Sequence, residues 1–98
     1  MRRVGLSDLD AAARALMTKP QPDWPQLARG MIEAAHLADL FRKRTGWPHP
    51  DGGTGSLFVQ AALIGQRNVA FADPGYVLAM QTVLRALTDW RARMNADT

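Results

Sequence analysis

Few residues in this chain are of types that do chemistry. It has no cysteine, which removes thiol nucleophiles, disulfides and thiolate metal sites. Its two serines, Ser7 and Ser56, fall where helices should begin and read as caps; neither sits in a G-x-S-x-G elbow. His36 lies three residues after Glu33 and three before Asp39. That trio has the right ligand types for a metal, but helical metal sites usually draw ligands from several helices. It reads instead as a salt-bridged or solvated face. Asp51-Gly52-Gly53-Thr54-Gly55-Ser56 has the glycines of a phosphate loop but lacks its lysine, and Asp51 would repel a phosphate. It also lacks the oxygen-ligand series of a calcium loop. No catalytic residue, metal site or cofactor is expected, and the protein is expected not to be an enzyme.

What remains is chemistry of binding, concentrated between Phe41 and Ser56. This stretch holds Arg42, Lys43 and Arg44, two of the six prolines and four of the eight glycines. The three cations suit the last turn of a helix, with Gly46 at its stop and Pro48 blocking continuation. They are also the candidate nucleic-acid contacts, giving phosphate affinity without sequence choice. Trp47 reads first as a lid on the core and second as an exposed anchor. His49, held between two prolines, joins Trp47 as a candidate partner-binding residue. A DNA-reading helix is harder to find. The third helix is too apolar to read base edges. The second offers Gln26 and Arg29 after a proline-rich turn, a pattern more typical of a plain helical hairpin.

Four helices must position these residues. Leu9, Ala12, Ala13, Leu16 and Met17 give one apolar face over 7–18, with Ser7 as cap and Asp10 at the box position. Pro20 and Pro22 stop that helix. Asp23 and Pro25 open a long one over 23–45, whose alanines imply a close helix neighbour and whose Gly30 implies a close crossing. Thr54 or Ser56 caps a third helix over 56–65. It is apolar nearly all round except at Gln60, so it is expected in the middle of the bundle or under a partner chain. Val69 and Phe71 of the next loop are expected to point inward. Asp73-Pro74 starts the last helix, 74–94. Tyr76, Met80, Val83, Leu87, Trp90 and Met94 form a heptad-like seam there, read as a core face or as a self-association face. The expected fold is all-α: one domain over 1–98 with two long helices, packed antiparallel, and two short ones.

Length supports one modest core. Net charge is +3, a field that permits nucleic acid or an acidic partner without demanding either. No apolar run is long enough for a membrane span, and the N-terminus lacks the apolar stretch of a signal peptide. A cytoplasmic protein is expected, with no membrane role.

The run Leu40-Phe41-Arg42-Lys43-Arg44-Thr45-Gly46-Trp47-Pro48-His49-Pro50, then Gly53-Thr54-Gly55-Ser56-Leu57, resembles the central signature of short helical alphaproteobacterial proteins of uncharacterised function. The chain departs from that signature in lacking an acidic residue between the glycines. Some small proteins of those bacteria belong to prophage-like gene-transfer-agent clusters, whose small terminase subunits are short, helical, basic and oligomeric. By that analogy the expected function is a self-associating helical binding module, a small-terminase-like DNA-packaging factor. The alternative is a protein-binding regulatory adaptor with no nucleic-acid role.

Overall fold

A computed structural model describes residues 1–96. Its helices are α1, Leu6–Leu16; α2, Trp24–Thr45; α3, Leu57–Ile64; and α4, Pro74–Ala96, with a 3-10 turn, Gln21–Asp23, leading into α2. The described residues contain no strand, only an isolated antiparallel bridge between His49 and Gly53. This is the small all-α four-helix domain that the periodicity predicts.

The start of α1 differs from expectation. Ser7 lies inside the helix, and Gly5 occupies the N-cap in extended conformation. Asp8 supplies the reciprocal bond, its Oδ2 accepting from the Gly5 N–H at 2.8 Å. Its Oδ1 accepts from the Phe58 N–H at 3.0 Å, tying the α1 start to the α3 start. A carboxylate that satisfies two backbone donors outcompetes a hydroxyl at the same turn. The starts of α3 and α4 match the reading: Ser56 Oγ accepts from the Val59 N–H at 3.1 Å, and Asp73 Oδ1 accepts from the Gly75 N–H at 2.8 Å. At α2, Asp23 occupies the N-cap but makes no side-chain cap bond.

The expected antiparallel packing of α2 and α4 is overturned. Gly75, at the start of α4, lies against Met17 in the turn before α2. Fifteen residues along α4, the Trp90 ring meets His36 at 5.3 Å between centroids. Both contacts progress in the same direction, so α2 and α4 run parallel. The cause is topological. The short α3 carries the chain back along α2, so two reversals separate the long helices. Met31 of α2 and Val83 and Leu87 of α4 lie in the buried core cluster, whereas Leu84 is exposed.

The middle of the bundle is α1, not α3. Ala11, Ala12, Ala13, Ala15 and Leu16 are almost completely buried. Alanine lets neighbouring backbones approach on several sides at once. By contrast α3 buries Leu57, Gln60 and Ala61, while Phe58 and Leu63 are 47% and 63% exposed. Gly30 meets nothing within 4 Å of a built Cβ, so no close crossing explains it. Phe71 is also exposed, although Val69 packs on the core as expected. On α4 the seam is the inner face: Tyr76, Val83 and Leu87 are buried, and Met80 and Trp90 pack against the core.

Arg14 fastens the returning loop to α1. It donates to Asp10 at 2.9 Å and to the Val69 carbonyl at 2.8 Å. Its guanidinium lies 5.2 Å from the Tyr76 ring centroid and 5.5 Å from that of Phe71. The Tyr76 hydroxyl also donates to Asp10, at 2.7 Å.

Candidate functional site

The stretch 41–56 forms a braced joint between α2 and α3. Its organising group is Asp39, a carboxylate with only 1% of its surface exposed. Asp39 Oδ1 accepts from Arg42 at 3.0 Å. Its Oδ2 lies 3.1 Å from the Lys43 ammonium and 3.3 Å from the Met1 amine. Burial pushes the carboxyl up. Hydrogen bonds from Arg42, Lys43 and the terminal amine outweigh that and bring it down to about 2. The same amine lies 3.0 Å from His36 Nδ1. Burial first, then the ammonium, hold the His36 ring below the usual histidine range against the upward pull of Asp39.

Arg42 has a second task. Its Nε donates to the Thr54 carbonyl at 3.2 Å, fastening the glycine loop to the end of α2. The loop then presses on the helix itself. A Cβ built on Gly55 would stand 2.5 Å from Asp39 Cβ and 2.6 Å from its Cα, and Gly55 has φ +98. Both space and conformation require glycine here. From the α3 side, Gln60 Nε2 donates to the Gly52 carbonyl at 2.6 Å. The one polar residue of α3 is therefore buried and engaged.

His49 sits inside this joint as a structural acceptor. Its Nδ1 receives the N–H groups of Asp51 and Gly52, both at 3.0 Å, so in the neutral ring the proton is on Nε2. Two backbone bonds with Gly53 close the turn. The ring also meets Phe41 edge-on at 5.0 Å. Trp47 is the opposite case. Gly46 ends α2 in the left-handed conformation (φ 78) and donates to the Arg42 carbonyl. The Trp47 N–H donates to Thr45 Oγ1 at 3.1 Å. This rigid turn leaves the indole 74% exposed. The core-lid reading of Trp47 is thus corrected: the helix stop directs the side chain outward, and Trp24 and Trp90 fill aromatic positions at the core.

The candidate phosphate contacts therefore divide. Arg42 and Lys43 are held by Asp39, and Arg44 is exposed with no ion pair among the described residues. Glu33, His36 and Asp39 are not gathered into a cage. Glu33 pairs with Arg29 at 3.2 Å, while Asp39 turns to the joint. Among the described residues no group of three metal-ligating side chains forms, and no helix is long and apolar enough to cross a membrane. The bundle brings the Phe41 and His49 rings together and leaves the Trp47 indole exposed. Sequence reasoning missed Asp39 as the hub, although its spacing of three and four to Arg42 and Lys43 was a readable signal.

The family model described as Domain of unknown function (DUF7742) matches residues 2–87. No curated protein matches the chain, and no solved structure does.

Proposed function

The chain belongs to the family of the domain of unknown function DUF7742, and we propose that it is a non-enzymatic helical module that docks a protein partner through Trp47. The observation that carries this reading is the indole itself, 74% exposed on a turn locked by Gly46 and Thr45. A large aromatic that is pre-organised and unburied is the side chain that most often anchors an interface. Leu37 and Leu40 on α2 are exposed as well and can extend the contact. Their spacing with Arg44 places all three on one side of α2.

Two features that would favour a self-associating DNA-packaging factor carry less weight. The α4 seam lines the core, and two of the three clustered cations are engaged by Asp39. Self-association retains one specific support, the exposed apolar side of α3 with Phe58 and Leu63. Sedimentation of the purified chain separates the readings: a monomer at high concentration removes the second. The docking reading is tested by partner capture on immobilised chain from cells of its source. Trp47→Ala is expected to abolish capture with the melting temperature kept. Capture that survives the substitution would end the reading.

A further inference from the structure

A second surface lies far from Trp47. Because α2 and α4 run parallel, their outer sides bound a groove of about 920 Å³. Its apolar lining includes Trp24, Leu78 and Ala86, and Leu78 is 44% exposed. Three arginines line it as well: Arg29, Arg85 and Arg93. Arg29 and Arg93 share Glu33, at 3.2 and 3.9 Å, in solvent-exposed pairs that hold weakly and can be exchanged. The Arg85 side chain has no hydrogen-bond or ion-pair partner among the described residues.

We propose that this groove docks an acidic amphipathic helix of a partner protein. A groove between two parallel helices has the shape that accepts a third by its apolar face. From Leu78 to Arg93 the lining spans about 22 Å, the length of a helix of about four turns. The apolar lining takes that face, and the guanidiniums take carboxylates at its edges, bidentate where geometry allows. Arg85 and Arg93 lie eight residues apart on α4, so matching carboxylates stand about two turns apart. A nucleic-acid strand suits the groove less well, because the apolar lining has no counterpart in a phosphate backbone and Trp24, at 6% exposed, offers no ring face for a base to stack on. Arg29 lies roughly 24 Å along α2 from Thr45, where the Trp47 turn begins, so this surface is independent of the docking turn.

The test is selection from a displayed library of random peptides of about sixteen residues on the full chain. The enriched sequences should show apolar residues at helical spacing with Asp or Glu on both flanks. A fluorescein-labelled consensus peptide should bind less tightly as salt rises. It should lose at least about tenfold in affinity on Arg85→Glu and keep its affinity on Trp47→Ala. Arg85→Ala, at an exposed position, should lose part of the affinity with an unchanged melting temperature. The proposal is overturned by an empty selection, by a consensus without acidic residues, by indifference to both Arg85 substitutions, or by duplex DNA binding the groove more tightly than the peptides.

Discussion

Arg42 and Lys43 at the end of α2, and Arg29, Arg85 and Arg93 along the α2–α4 groove, are cations in opposite situations. The first two are adjacent in sequence and look like a binding patch. In the fold a buried carboxylate one turn earlier draws both inward, and Arg42 also holds the loop through the Thr54 carbonyl. The groove arginines are scattered over sixty-five positions and form no motif. Packing gathers them around open space, and Arg85 keeps its charge free. A run of like charges therefore says less about binding than the nearest buried counter-charge does. A desolvated carboxylate without partners is costly, so it recruits the cations within reach before any ligand does.

That contrast can be broken at several points. The strongest perturbation is Gly55→Val, which drives a Cβ into the Asp39 backbone at a positive φ; it should cost about 3 kcal/mol or more in chemical denaturation. Asp39→Asn removes the counter-charge and should cost about 2–3 kcal/mol, less than a fully enclosed pair because Arg42 and Lys43 can reach water. It should also change the acid limb. The folded carboxyl lies near 2 against an ordinary 3.8, so the unfolded chain binds the proton first as pH falls. Stability from this group is full above about 4 and drains away towards 2; that slope should be missing from an Asp39→Asn titration. Arg42→Ala should cost about 1 kcal/mol, through the lost Asp39 and Thr54 bonds. Arg44→Ala and Arg85→Ala should stay within about 0.5 kcal/mol of wild type. If Arg42→Ala were as silent as Arg85→Ala in the same urea series, the two cationic regions would be alike after all.

Much of this architecture is legible in the chain. Periodicity places the four helices, the prolines stop α1, and Gly46 ends α2 as a left-handed cap. The misreadings share a cause: local pattern carries no information on neighbours. Ser7 looks like a better cap than Gly5 until Asp8 is seen to serve both its own turn and α3. The apolar α3 looks central, yet α1 is, because alanines admit three neighbours and eight residues of α3 do not reach across the bundle. Nothing in the local pattern marks Arg14 as a structural residue. Its partners, Val69 and Tyr76, lie more than fifty residues away. Asp39 was legible as an i, i+3, i+4 partner of two cations, but its burial depends on Gly55 arriving from the next loop.

At the centre of this account, Asp39 braces the joint between α2 and α3. Amide hydrogen exchange of His49 and Gly53 reads this directly, because each donates to the other's carbonyl, at 2.8 and 3.0 Å. Both amides should be protected in the wild-type chain and approach free-peptide rates in Asp39→Asn, while α1 amides, although speeded by the global loss of stability, stay protected. Exchange at free-peptide rates in the wild type, or equal protection in both chains, would contradict it.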